Sequence, residues 1–242
     1  LRYNNLEVIE TGYGISLRPL SVFANEVYRD CDVSRFEVKL TGDDAAKYTE
    51  KDKLLAARMH KAITMILFKL EGQKVLRNPC FHMNDRLLLD KVDYEHKCIT
   101  IQGVTYPMED TDFPTVDPKD PYTLTQEEST LINQLTRSFR HSEKLQRHVR
   151  FLYSKGSLYK IYNGNLLFHG CIPRDQDVTF AAVEIQGRLY QGRAYMDMAD
   201  AMARRAWGRG ADQYAVDFMW YLWGGELSPL CGRKVKTFER SY

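Results

Sequence analysis

A single histidine closes a short apolar run: Asn165-Leu166-Leu167-Phe168 passes directly into His169-Gly170. A neutral imidazole at the end of a strand is a common metal ligand. Spacing alone leaves two readings open, a metal ligand or a hydrogen-bonded core or turn histidine. No H-x-E or H-x-x-x-H supplies a second ligand nearby, and Cys171 is two residues on. Gly170 would let another group approach the backbone closely, and Pro173 would stiffen the exit.

The elements that must position His169 follow from the residues before it. Asn163-Gly164 between two apolar runs is a strong signal for a tight hairpin, because both residues tolerate positive φ. The expectation is an antiparallel pair, Leu158–Tyr162 with Asn165–Phe168, and the unbroken Leu-Leu-Phe run predicts a strand buried on both faces. His169 then falls at the carboxyl end of a strand, where ligands collect in open α/β sheets.

Other residues with chemical capacity are more ambiguous. Arg137, Arg140, Lys144 and Arg147 share one face if a helix runs unbroken across Ser142, either as a solvated face or as a contact for an anionic partner. His141 and His148 read as surface groups. Met196, Met198, Met202, Trp207, Trp220 and Trp223 lie in a helical region and read as packed core or subunit contact. Tyr13 and Arg18 lie in a glycine-punctuated stretch that could approach a substrate.

Along the chain, Leu6–Ile9 reads as a strand, TGYGISLRPL as a loop and Ser21–Tyr28 as a short helix. Asp44–Leu70 carries the longest helical pattern, with Gly72 and Pro79 expected to break it. RLLLDKV and CITIQGVTY read as strands, and Asp110–Pro121 as an irregular connection. Thr125 with Glu128 three residues on forms a capping box ahead of Leu131, Leu135 and Phe139. Ser142 caps a further segment with Leu145, Val149 and Leu152. TFAAVEIQGRLYQG reads as strand or loop, and the chain is then helical to about Trp223. Helices interleave with strands, so the class is α/β or α+β.

The 242 residues, 44% hydrophobic and 27% charged with a net charge of +2, suit a globular chain with a real core. Nothing in that balance argues for nucleic acid or an anionic membrane. The longest apolar run is too short to span a bilayer. Five scattered cysteines without a C-x-x-C read as reduced thiols in a cytoplasm. The chain opens LRYNNLEV and stops at TFERSY, so both ends read as cut and the sequence as an internal piece.

The stretch FLYSKGSLYKIYNGNLLFHGCIP resembles the calcineurin-like metallophosphoesterases at a block where a hydrophobic strand ends in His-Gly. Taken with RYNNLEVIETGYGISLRPLSVFA, RMHKAITMILFKLEGQ, FPTVDPKDPYTLT, SEKLQRHVRFLY and WYLWGGELSPLCGRK, the chain resembles the bacterial class III fructose-1,6-bisphosphatases from end to end.

The resemblance implies an α/β chain with a partial calcineurin-like fold. That fold would have mixed β-sheets flanked by helices, and a helix-plus-strands insertion at 44–116 within a single truncated catalytic region. It implies His169 as a ligand to one ion of a dimetal pair, with manganese as the implied metal. The pair would generate a hydroxide that hydrolyses fructose 1,6-bisphosphate to fructose 6-phosphate and phosphate in gluconeogenesis. An arginine near the end, Arg240, would grip phosphate, with Arg233 and Lys234 as weaker alternatives. The sugar bisphosphate is the expected partner, with no nucleic acid or membrane, and oligomer formation is compatible with the sequence. The family's Asp-x-His, Gly-Asp-x-x-Asp-Arg and Gly-Asn-His blocks do not occur here; TGDDAA lacks the required arginine. The chain alone is therefore expected to be inactive. The alternative is a non-catalytic interaction or scaffold domain derived from a metallophosphoesterase.

Overall fold

The computed structural model describes residues 6–38, 48–208, 211–231, 235–237 and 240–241, with side chains at 8–38, 48–208 and 211–231. The chain divides into two compact units. One holds Leu1–Gln73 with Leu87–Val149, the other Lys74–Arg86 with Arg150–Tyr242.

The first unit is built on helices α1 (Leu6–Tyr13), α2 (Arg18–Val27), most of α3 (Glu50–Arg77), α4 (Gln126–His141) and the start of α5 (Glu143–Lys155). The strand expected at Leu6–Ile9 is helix instead. Ile9, Gly12 and Tyr13 are half-buried while Val8, Glu10 and Thr11 are exposed, a helical period that the β-branched pair Val8-Ile9 obscures. Part of the expected loop after it is also helical, and only residues 14–17 lie between α1 and α2.

Leu20, Phe23, Ala24 and Tyr28 pack on Met59, Ala62, Met65 and Ile66 of α3 and Leu131 of α4. Beside that core, the Lys69 ammonium donates to Glu128 Oε2 at 2.7 Å, with both side chains fully buried. Glu128 also completes the expected capping box, accepting from the Thr125 backbone N–H while Thr125 Oγ1 accepts from Glu128 N. One carboxylate thus starts α4 and fixes it to α3.

Gly72 does not break α3, which runs on to Arg77. A Cβ on Gly72 would lie 2.1 Å from the ring of Tyr122, so the glycine serves close packing. Tyr122 is held there by Gln73 Nε2 donating to its carbonyl and by its own hydroxyl donating to Asp90 at 2.6 Å. The expected strand across RLLLDKV shrinks to β1 (Val92–Asp93), which pairs antiparallel with β2 (Cys98–Ile101), itself paired with β3 (Val104–Pro107). Leu89–Lys91 before it is a 3-10 turn. The beginning of the helix expected at Asp44 lies outside the described residues.

The second unit contains hairpin β4 (Tyr159–Tyr162) with β5 (Asn165–Phe168), hairpin β6 (Val183–Ile185) with β7 (Arg188–Tyr190), helices α6 (Gly192–Trp207) and α7 (Gln213–Gly224), and the short pair β8 (Val235–Thr237) with β9 (Arg240–Ser241). Its buried residues include Phe81, Val183, Ile185, Tyr195, Met196, Ala199, Met202, Phe218 and Leu222. Asp217 is buried on α7 and receives hydrogen bonds from Arg77, Asn78 and Gln213. Burial would push its carboxyl up, but those donors and the Arg77 charge more than offset burial and hold it below the ordinary carboxylate range.

The class is mixed α/β. Among the described residues the sheets are antiparallel pairs and one three-stranded meander, rather than the expected mixed sheets flanked by helices. No described helix is long and apolar enough to cross a membrane.

Candidate functional site

The expected hairpin forms in the expected register, Tyr159 opposite Phe168 and Tyr162 opposite Asn165. Asn163 and Gly164 take φ values of 49° and 73°, both in the left-handed region that a type I′ turn requires. The expectation of burial fails: every residue of β5 is exposed, with Leu167 at 53% and Phe168 at 44%. Sequence hydrophobicity does not distinguish a strand that is covered from one that is not, and among the described residues β5 pairs with β4 alone.

What holds the hairpin is polar and lies at its base. The Tyr159 hydroxyl donates to Asp197 Oδ1 at 2.7 Å, and the Leu158 N–H donates to Asp200 Oδ1 at 3.3 Å. Arg204 pairs with Asp200 at 2.6 Å and also donates to the carbonyls of Tyr153 and Gly156. The hydrogen bond to Asp197 raises the Tyr159 phenol above its ordinary range. Asp197, Asp200 and Arg204 stand three and four residues apart on α6, hence on one face. That spacing was present in the sequence and could have marked them as a group.

His169 follows β5 with its side chain exposed, and its ring makes no hydrogen bond to a described residue. Gly170 is packed tightly: a Cβ there would lie 2.4 Å from the Pro229 carbonyl oxygen and 2.7 Å from the Leu230 carbonyl carbon. The close approach expected at this glycine is therefore present, and the approaching group is backbone. Cys171 N donates to Pro229 O at 3.0 Å, and its thiol contacts Ser228 O at 3.6 Å. Burial pushes that thiol up, and the neighbouring Cys231 adds to the effect.

Ser228 organises the partner turn. Its buried hydroxyl accepts from the N–H groups of Leu230 and Cys231. Tyr195 reaches the same segment, donating to Leu227 O at 2.9 Å, and burial raises its phenol strongly. Two stretches far apart in sequence, HGCIP and ELSPLC, thus lie side by side. Ser228 was not singled out from the sequence, since a serine before a proline carries no signal of its own.

The side chain of Arg240 lies outside the described residues, although its backbone pairs with Thr237 in β8–β9. Arg233 and Lys234 also lie outside them. Arg137, Arg140, Lys144 and Arg147 are exposed, and Ser142 at ψ 99° divides α4 from α5, so no continuous helix presents them together. The Tyr13 hydroxyl lies 3.3 Å from His148 Nδ1, and its carbonyl accepts from Ser142 Oγ at 2.6 Å. Arg18 starts α2. Met196 and Met202 are core, whereas Trp207 and Trp223 are substantially exposed.

A dimetal pair needs several convergent carboxylates and imidazoles. Among the described residues no three His, Cys, Asp or Glu side chains converge. His169 and its described neighbours therefore do not by themselves fit such a pair.

A family model described as firmicute fructose-1,6-bisphosphatase matches residues 1–242. The chain belongs to that family. It is 49% identical to the class 3 fructose-1,6-bisphosphatase of Clostridium novyi over 100% of this chain and 37% of that protein. The figures for the Clostridium tetani protein are the same, 49%, 100% and 37%. The Ligilactobacillus salivarius protein is 47% identical over 100% of this chain and 38% of its own length. The chain thus spans a little over a third of the curated bisphosphatases it matches. No solved structure matches it.

Proposed function

We propose that this chain is part of a metal-dependent phosphatase that hydrolyses fructose 1,6-bisphosphate to fructose 6-phosphate and phosphate. The observation that carries the reading is identity of 49% to proteins named fructose-1,6-bisphosphatase class 3 across the whole chain. The reading extends to a cytoplasmic, gluconeogenic enzyme of calcineurin-like fold, with residues 1–242 as the central part of its catalytic region and 44–116 as an insertion. His169 is proposed as one ligand to a divalent metal, manganese by resemblance, and Arg240 as a phosphate contact.

The placement of His169 supports this role. The imidazole is exposed, and the residue after it is locked by contact with Pro229 and Leu230. A ligand that must reach an ion gains from such a fixed backbone. The described residues supply no ligand cluster, so the chain by itself is proposed to be inactive.

The test compares release of phosphate from fructose 1,6-bisphosphate, with manganese, by this chain and by a complete-length polypeptide that contains it. The complete polypeptide is expected to turn over and this chain to stay at the no-protein baseline. In the complete polypeptide His169→Ala is expected to lower the rate by about a hundredfold or more, in line with the loss of a group essential to metal chemistry. In this chain alone the same substitution should leave the melting temperature unchanged, because the side chain is exposed. A near-normal rate and metal content in the complete-length variant would remove His169 from the site.

A further inference from the structure

Hairpin β4–β5 places Ile161, Tyr162, Leu166, Leu167 and Phe168 in solvent, each between 44% and 62% exposed. The register sorts them by face. Tyr159 with Phe168, and Ile161 with Leu166, are opposite pairs two residues apart, so these four share one face. That face is apolar throughout, apart from the Tyr159 hydroxyl held by Asp197. The other carries Leu167 and Tyr162 beside Lys160 and Asn165.

An isolated two-stranded hairpin is marginal in water, and an exposed apolar edge invites further pairing. A contiguous apolar patch of this kind marks a surface that something covers. Here the attachment is the polar clamp of Asp197, Asp200 and Arg204 at the base; among the described residues Ile161, Leu166 and Phe168 of the apolar face keep 44–59% exposure and no further strand pairs with β4 or β5.

We infer that hairpin β4–β5 is an assembly surface for the part of the class 3 polypeptide outside the stretch matched by residues 1–242. That part supplies strands to the free edges of β4 and β5 and an apolar layer over Tyr159, Ile161, Leu166 and Phe168. The argument for this occupant is length. Each relative matched over this entire chain is covered over only 37% of its own length, so most of the polypeptide that evolved with this surface lies elsewhere. The inference rests on exposure, register and that length, and stands apart from the assignment of His169 to a metal.

The experiment is amide hydrogen exchange on this chain and on the complete Clostridium novyi relative, read at the hairpin aligned with Tyr159–Phe168. Its amides are expected to exchange about a hundredfold more slowly in the complete relative, as for strands moved from a fraying pair into a core sheet. In parallel, Ile161→Lys and Leu166→Lys are made in this chain and at the aligned positions of the relative. They are expected to leave the melting temperature of this chain unchanged and to lower that of the complete polypeptide. The unaffected chain shows that the variants do not intrinsically misfold. Equal exchange in both proteins would overturn the inference, as would strong protection already present in this chain. So would a dimer of this chain, seen by light scattering and abolished by Ile161→Lys, which would assign the surface to a second copy.

Discussion

Hairpins β4–β5 and β6–β7 close on the same turn and meet opposite fates. Asn163-Gly164 and Gln186-Gly187 have nearly identical φ values, 49° and 73° against 51° and 77°. Both pairs are antiparallel and both expose their turn glycine to open space. In β6, Val183 and Ile185 are buried and Glu184 between them is exposed, the alternation of a strand with one covered face. In β4–β5, Ile161 stands 59% exposed where Ile185 stands 2%. Turn chemistry decides that a hairpin forms. Whether the hairpin belongs to the core depends on what packs against it, and here that difference sets β6–β7 apart as structure and β4–β5 as surface.

The sharpest way to break this comparison is to charge the two isoleucines. Ile185→Asp is expected to cost about 4 kcal/mol or to abolish cooperative unfolding, because a carboxylate would be buried without a partner. Ile161→Asp should stay within about 0.5 kcal/mol. Urea denaturation read by circular dichroism measures both, and similar losses would mean that β4–β5 is already covered in this chain.

A smaller effect is expected at Asp217, which ties α7 to Arg77 and Asn78 while Tyr214 of the same helix approaches the β6–β7 turn through the Gln186 N–H. Asp217→Asn should cost about 2–3 kcal/mol near neutral pH, the scale for hydrogen bonds to a charged group. The folded carboxyl is held below the ordinary range, so its stabilisation is present above that range and lost as pH falls through the folded value. Urea midpoints at pH 7 and pH 3 should therefore differ less in the variant than in the parent. An unchanged difference would show that Asp217 does not carry the acid sensitivity.

Glycine substitutions separate turn strain from crowding. Gly164→Ala and Gly187→Ala should each cost about 1 kcal/mol, since each forces a side chain into left-handed backbone with nothing to collide with. Gly170→Ala should cost about 2 kcal/mol, because the Pro229–Leu230 backbone must move. A loss at Gly170 no larger than at the turns would indicate that the HGCIP and ELSPLC segments yield easily.

The smallest change is expected at the base clamp. Arg204→Ala removes donors to Asp200, Tyr153 and Gly156 on a largely exposed face, and should shift global stability by less than about 1 kcal/mol. Its signature is local: amides of β4 should exchange faster while those of β6 do not change. Parallel loss in both hairpins would show that the clamp is part of the shared core.

Some features needed only the sequence. The Asn163-Gly164 turn, the Thr125–Glu128 capping box and the separate cap at Ser142 each depend on a few neighbouring residues, whose backbone preferences act over one turn of chain. Family membership was legible for a related reason, since a long joint pattern of residues survives comparison residue by residue. The His169-Gly170 pair was also visible, and the tight packing at Gly170 agrees with it.

Other features were decided by contacts between distant segments. Gly72 passes through the middle of α3 because Tyr122, fifty residues away, needs its missing side chain. Val8-Ile9 has strand-forming residue types, yet lies in a helix because Ile9 finds the α2–α3 core at helical spacing. The Leu-Leu-Phe run of β5 and the Val-Glu-Ile run of β6 carry local signals that would place the first deeper than the second. The reverse holds, because burial is a property of what lies opposite: α6 hydrogen-bonds Leu158 and Tyr159 at the base of β4, while every residue of β5 stays exposed. Local propensity acts within a few residues, whereas the covering of a surface depends on the meeting of segments that sequence order does not specify.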